Sequence, residues 1–215
     1  ANCRRRRGGR AVRAIDARLE METMFIQTEE TPNPATLKFL PGRTVMVSGT
    51  AEFKSEEEAA AGSPLAAALF DVDGVTTVFL ANEFISVSKR DDKEWYLMKP
   101  AVLGVIMEHF VAGKPVMADG AAEAAEAEVR PEDEEVVSQI KELLDTRVRP
   151  AVSMDGGDIV FHGYEDGVVT LTMQGACAGC PSSTATLKMG IENMLRHYIP
   201  EVREVRAAGG MADYY

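Results

Sequence analysis

The sequence predicts an α+β protein built of two small α+β domains joined by an acidic linker. Residues 24–114 show the order strands, helix, hairpin, helix, and residues 132–207 show helix, hairpin, cysteine pair, helix, strand. Between them, residues 115–131 are rich in Ala and Glu and lack an apolar stripe, which is typical of a flexible linker. At 215 residues the chain is long enough for two such domains, with residues 1–23 and 208–215 as tails.

The first domain is predicted from alternating apolar segments and one capped helix. Strands are predicted at Phe25–Thr28, Ala35–Leu40, Val75–Leu80 and Phe84–Ser88. Thr31–Pro34 has the composition of a rigid turn between the first two strands. Ser63 and Pro64 are a helix cap and a first helical residue, and this helix is expected to run to about Phe70. A second helix follows from the helical spacing of Val102, Val105, Ile106, His109 and Phe110.

The second domain begins with an acidic first turn after Pro131, which suits the positive end of a helix dipole. Its apolar stripe runs to Val148, and we expect Pro150 and the Gly156–Gly157 pair to end the helix. A hairpin is predicted around the Asp166–Gly167 turn. A further helix from about Pro181 and a last strand at Val202–Val205 complete the order.

Composition and charge exclude two broad classes of function. The net charge is −11, and beyond residue 20 the chain holds 16 basic against 32 acidic residues, so we expect no binding to nucleic acid. No apolar segment approaches the roughly 20 residues of a membrane-spanning helix, so no membrane partner is expected.

The arginine-rich start, with seven Arg in residues 1–20, has two explanations. Arg-rich segments are typical of mitochondrial transit peptides, which implies the mitochondrial matrix. However, this segment has no Ser and carries Asp16, Glu20 and Glu22. We therefore favour a bacterial cytoplasmic protein that truly begins at Met21 or Met24. Three cysteines give no disulfide framework and indicate a reducing compartment.

The most informative residues are Cys177 and Cys180, a Cys-x-x-Cys pair in Gly175–Thr184, a segment we call the cysteine corner. Cys3, in the Arg-rich tail, is expected to be inert. Two thiolates are half the ligand set of a tetrahedral zinc or an iron–sulfur cluster. We expect the following helix N-terminus to lower the pKa of these thiols, and the glycines to let the backbone approach a bulky inorganic group.

Spacing alone leaves three functions open. The pair can share an iron–sulfur cluster with another molecule, or hold zinc with His162 and His197 as the nearby candidate ligands, or act as a thiol–disulfide oxidoreductase. The oxidoreductase interpretation fits less well, because an antiparallel hairpin precedes the pair where a thioredoxin-like protein has a βαβ unit.

Both halves of the chain resemble one known family. Met154–Asp158, the cysteine corner and Thr186–Lys188 resemble the NifU C-terminal-type domain, and Gln27–Phe39 with Glu83–Val87 resembles the N-terminal domain of Nfu proteins. The resemblance covers about residues 24–207. It implies an iron–sulfur scaffold or carrier, not an enzyme, that holds a [4Fe–4S] cluster between two subunits through Cys177 and Cys180. It leaves a [2Fe–2S] form open.

The resemblance also implies partners. These are upstream cluster-assembly proteins, the apo iron–sulfur proteins that receive the cluster, and a second copy of the chain once the cluster is bound. We expect residues 131–207 to bind the cluster alone and the first domain to select clients. If the first domain instead completes the cluster site, His109 is the residue to consider. We expect the cysteine corner to lie outside the core, and Asp155 and Asp158 to shape a turn.

Overall fold

The computed structural model describes residues 25–118, 130, 133–178 and 181–208, and confirms the α+β class. The Arg-rich tail, most of the linker, Cys3, Gly179 and Cys180 lie outside these residues. Among these residues, two large hydrophobic cores lie within residues 26–117 and within residues 136–205, and a small third cluster is formed by Phe79, Ala81 and Phe84 with Leu40. None of the described helices is long and apolar enough to cross a membrane.

The first half is a five-stranded antiparallel sheet with helices on one face. Its strands are β1 (Gln27–Glu30), β2 (Thr36–Leu40), β3 (Ala51–Phe53), β4 (Val75–Leu80) and β5 (Ile85–Lys89), in the order β1-β2-β5-β4-β3. The helices are α1 (Glu56–Gly62), α2 (Pro64–Phe70) and α3 (Trp95–Val111). Helix α2 follows its predicted signals, because the Ser63 side chain accepts a hydrogen bond from the Ala66 N–H and Pro64 opens the helix.

The core of this half lies between the helices and one face of the sheet. Phe39, Val78, Ile85 and Val87 point into it, together with Val102 and Ile106 of α3. Because side chains alternate across a strand, their neighbours point to the opposite face of the sheet. Helix α3 therefore lies on the face away from those neighbours, and it begins seven residues earlier than the predicted stripe that starts at Val102.

The second half packs helices against a three-stranded sheet. The elements are α4 (Glu134–Leu143), a π-helical segment (Leu144–Val148), α5 (Arg149–Met154), β6 (Gly157–Glu165), β7 (Val168–Gly175), α6 (Pro181–Tyr198) and β8 (Glu204–Ala207). Strands β6 and β7 form the predicted hairpin, whose two turn residues, Asp166 and Gly167, both have positive φ. Strand β8 adds parallel to β7.

The prediction that Pro150 ends the first helix of this half is wrong. The helical path continues through the π-helical segment into α5 and stops only at Met154. Proline is tolerated there because it occupies the first turn of α5, where its missing N–H costs no regular helical hydrogen bond. Gly156 then lies in a turn and Gly157 starts β6, and the Gly156 carbonyl accepts a hydrogen bond from the Ala176 N–H of the cysteine corner.

Candidate functional site at the cysteine corner

Cys177 lies two residues after the end of β7, at the turn that leads into α6. Its side chain is only 7 % exposed and packs with the second core. Its carbonyl accepts a hydrogen bond of 2.9 Å from the Thr184 hydroxyl of α6, which ties the corner to the first turns of the helix. The prediction that the corner stands outside the core is therefore wrong for this cysteine.

Two glycines make room for the Cys177 side chain and the turn that carries it. A Cβ on Gly157 would lie 2.6 Å from Cys177 Sγ and 2.6 Å from the Gln174 carbonyl oxygen. Gly175 has φ +63°, and a Cβ there would lie 2.6 Å from the Gly156 carbonyl oxygen. The positive φ of Gly175 and the close approach of the Gly156 carbonyl are each a sufficient reason for glycine at this position.

The electrostatic environment of Cys177 is opposite to the predicted one. Burial, followed by the charges of Asp155 and Asp158, raises the pKa of the Cys177 thiol to about 11. The expected stabilisation of a thiolate by the helix N-terminus does not compensate, because the side chain points into an apolar core. At neutral pH this thiol is protonated in the arrangement described.

Asp158 is the buried carboxylate of the neighbouring turn, Met154–Asp158, which we call the Gly-Gly turn. It is 6 % exposed, and its carboxylate accepts a 3.0 Å hydrogen bond from the Thr50 hydroxyl and lies 3.5 Å from the Arg149 guanidinium. A buried carboxylate needs such partners, so Asp158 has a structural reason to be present. This agrees with the expectation that the acids of this turn shape the fold.

The histidines do not gather at the corner. His162 and His197 are exposed on β6 and α6, and among the described residues no group of three or more His, Cys, Asp or Glu could hold a metal ion. His109 is 3 % exposed, and its Nε2 has no hydrogen-bond partner. It lies on α3, on the opposite side of the five-stranded sheet from the corner, so the arrangement gives it no part in the site.

The first half of the chain contacts the cysteine corner, which sequence reasoning missed. The Asn33 side-chain amide donates to the Ala176 carbonyl at 3.4 Å, and the Glu52 carboxylate accepts from the Gly175 N–H at 2.8 Å. The Thr31–Pro34 turn is thus a contact within the chain. Polar alternation along the strands could have suggested a second sheet face, but such a face ordinarily meets solvent.

Comparisons with known proteins identify the family. Residues 26–113 match the family described as "Scaffold protein Nfu/NifU N terminal", and residues 140–206 match the "NifU-like domain". A protein of Drosophila virilis, "NFU1 iron-sulfur cluster scaffold homolog, mitochondrial", is 50% identical over 93% of this chain and 67% of its own length. The chain belongs to the Nfu family of iron–sulfur cluster scaffold proteins.

A second curated relative agrees with this assignment. "NifU-like protein 4, mitochondrial" of Arabidopsis thaliana is 49% identical over 86% of this chain and 66% of its own length. The chain thus spans about two thirds of the length of these two curated relatives. A solution structure of a NifU-like protein from Saccharomyces cerevisiae, 24% identical, aligns with 45% of this chain and 86% of its own, with a TM-score of 0.41.

The relatives correct the predicted localisation. They are named as mitochondrial proteins of fly and plant, so the prediction of a bacterial cytoplasmic protein is wrong. The prediction gave more weight to the absence of Ser and to three acidic residues than to the seven Arg, which are the feature of this segment that is typical of a transit peptide. The names of these relatives agree with the mitochondrial alternative.

Proposed function

We propose that this chain is an iron–sulfur scaffold or carrier that binds a [4Fe–4S] cluster between two subunits and passes it to apo-proteins. Membership in the Nfu family supports the scaffold role. One observation supports the assignment of the site: Cys177 lies in the turn between β7 and the long helix α6, within the segment that matches the NifU-like domain. Cys177 and Cys180 are the proposed ligands.

The stoichiometry follows from the supply of soft ligands. Clusters of this type are held by four thiolates, and this chain offers one closely spaced pair in its matched domain. Two chains together complete the set, so the proposal includes a homodimer that forms on cluster binding. A site divided between subunits can also open by dissociation, which suits a protein that gives its cluster away.

The thiol–disulfide oxidoreductase is the weaker alternative. Exchange begins with attack by a thiolate, and attack requires access to the sulfur. Cys177 is buried, and its pKa is raised to about 11, so it is a poor attacking thiol in this arrangement. We therefore favour the scaffold or carrier, which has no catalysed turnover. Its proposed partners are upstream cluster-assembly proteins and apo iron–sulfur proteins.

Anaerobic reconstitution of cysteine variants tests this proposal. We expect the wild-type chain and Cys3→Ser to take up equal amounts of iron and sulfide and to turn brown. Cys177→Ser and Cys180→Ser should lose nearly all of both, because each leaves one thiolate per chain at the corner. Cys177→Ala, with far-UV circular dichroism, controls for folding, since a serine hydroxyl at this buried position carries its own desolvation cost.

A colourless wild-type protein would contradict the proposal. If that protein held zinc, the interaction-module hypothesis would replace it, and if it reduced disulfides, the oxidoreductase would. Full iron content in Cys177→Ser would overturn the ligand assignment.

A further inference from the structure

Both faces of the five-stranded sheet are buried, although only one faces the core of its own half. Lys38, Glu52, Phe79 and Ser86, one from each of β2, β3, β4 and β5, point away from that core; we call them the second sheet face. Phe79 is 0 % exposed and Ser86 is 1 % exposed. Buried polar side chains need partners, so the cover of this face must supply hydrogen bonds.

The Gly-Gly turn supplies part of that cover. The Ser86 hydroxyl donates to the Gly156 carbonyl at 2.7 Å, and the Lys38 ammonium donates to the Met154 carbonyl at 3.2 Å. Gly156 has φ +81°, and a Cβ there would lie 3.0 Å from Ser86 Oγ and 3.1 Å from Thr31 Cγ2. The two halves therefore meet closely at Gly156, where any side chain would push them apart.

The start of the cysteine corner supplies the rest. The Gly175 N–H donates to the Glu52 carboxylate, and the Ala176 carbonyl accepts from Asn33, as described above. The Phe79 ring packs here too, because a Cβ on Gly175 would lie 2.9 Å from its Cδ1. Gly175 and Ala176 immediately precede Cys177, so the second sheet face holds the backbone that positions the thiol.

This contact opposes exposure of the thiol. Cys177 Sγ lies against Gly157, close to the two segments that the second sheet face contacts, the Gly-Gly turn and residues 175–176. For two subunits to share a cluster, each sulfur must face outward toward the other subunit. Cys177 Sγ can face outward only by leaving this packing, and the hydrogen bonds with Glu52 and Asn33 oppose any movement of residues 175 and 176 that accompanies it.

We propose that the second sheet face is a binding surface for the Gly-Gly turn and residues 175–177 of its own chain, and that this surface releases residues 175–177 before a shared cluster binds. The release step rests on the function proposed above, whereas the contact itself is a property of the apo-protein. The first domain then acts as an internal cover of the cluster ligands, in addition to any role toward clients.

Ser86→Glu is the variant that tests the contact, with Ser138→Glu as its matched control. The added carboxylate at position 86 would be forced against the Gly156 carbonyl, so the contact should open. Once it opens, residue 86 faces solvent on a sheet surface, and the core of the first half is untouched. Ser138 is exposed on α4, so the same substitution there should disturb nothing.

The measurement is the rate at which iodoacetamide alkylates Cys177 in the full-length apo-protein, in a Cys3→Ser background. Tandem mass spectrometry locates the label, and small-angle X-ray scattering of the same samples gives the radius of gyration. We expect Ser86→Glu to raise the rate at least tenfold and to enlarge the radius of gyration, and Ser138→Glu to leave both unchanged. Equal rates and equal radii in wild type and Ser86→Glu would overturn the proposal.

Cluster loading separates this inference from the proposed function. We expect Ser86→Glu to load iron several-fold faster than wild type and to reach the same final content; slower loading would overturn the release step. If neither protein takes up iron, the proposed function fails, while the alkylation contrast still tests the contact. If Trp95 emission shows that Ser86→Glu disturbs the first core, Lys38→Ala serves as the test variant under the same criteria. It removes the bond to Met154 together with the ion pair of Lys38 with Glu29 and its contact with the Phe84 ring.

Discussion

Gly157→Ala is expected to destabilise the second half of the chain far more than Gly163→Ala, the same change at the other glycine of β6. The new Cβ would lie 2.6 Å from both Cys177 Sγ and the Gln174 carbonyl oxygen, about 1 Å inside normal contact distance. Neither neighbour yields easily, because one is backbone in the paired strand and the other is packed in the core. Overpacking of this kind costs about 1–3 kcal/mol, and the two simultaneous contacts favour the upper end.

The assay is thermal unfolding of the full-length apo-protein by differential scanning calorimetry, with amide exchange of β6 and β7 to assign the transition. A loss of about 2–3 kcal/mol in a domain of this size lowers its midpoint by roughly 10–20 °C. Gly163→Ala is the matched control: it lies in the same strand, and its Cβ would have no atom within 4 Å.

Equal midpoints for Gly157→Ala and Gly163→Ala would refute the argument that Gly157 makes room for Cys177. Reconstituted Gly157→Ala should also hold less iron than Gly163→Ala, because the added methyl group displaces the sulfur of the proposed ligand Cys177. A destabilised Gly157→Ala with full iron content would leave the packing argument standing and separate it from ligation.

Three further predictions follow from burial and from the location of the ligands. Burial raises the pKa of Cys177, so its protonated form stabilises the fold at every pH below the pKa of an unfolded thiol. The unfolding free energy of the apo-protein, measured with urea, should therefore fall by roughly 2–3 kcal/mol between about pH 9 and pH 11. Cys177→Ala should show no such loss. Burial lowers the pKa of His109, so the first half should lose stability as the pH falls below the ordinary histidine pKa. Unfolding followed by Trp95 fluorescence should show this fall of the unfolding free energy in wild type and not in His109→Gln. An equal dependence on pH in both proteins would contradict the prediction. Residues 131–207, expressed alone, should still take up iron on reconstitution, and a folded fragment without iron would show that the first half completes the site.

Elements with strong local signals were predictable from the sequence. The Ser63–Pro64 start of α2, strand β4 and the Asp166–Gly167 turn each depend on nearby residues, and all three occur as predicted. Strand β3 and helix α1 were missed, since a three-residue strand has almost no periodicity and α1 is a run of Glu and Ala. Pro150 misled the prediction because a π-helical segment before it changes what proline costs.

The site was predictable in identity and not in environment. The Cys-x-x-Cys spacing and the family resemblance single out Cys177 and Cys180, and the assignment of these residues as ligands stays a prediction. The burial of Cys177 was not visible in the sequence, because it depends on contacts with Gly157 and with the core. The contact from Asn33 and Glu52 joins residues more than 120 positions apart, which no local pattern encodes.

Native mass spectrometry of the anaerobically reconstituted protein tests the central claim, a cluster shared between two chains, most directly. We predict a species of two 23.3 kDa chains that carries one [4Fe–4S] cluster, beside a monomeric apo-protein, for both wild type and Cys3→Ser. Cys177→Ser and Cys180→Ser should give neither the cluster nor the dimer. A single wild-type chain that carries a complete cluster, with no added small thiol, would contradict the account.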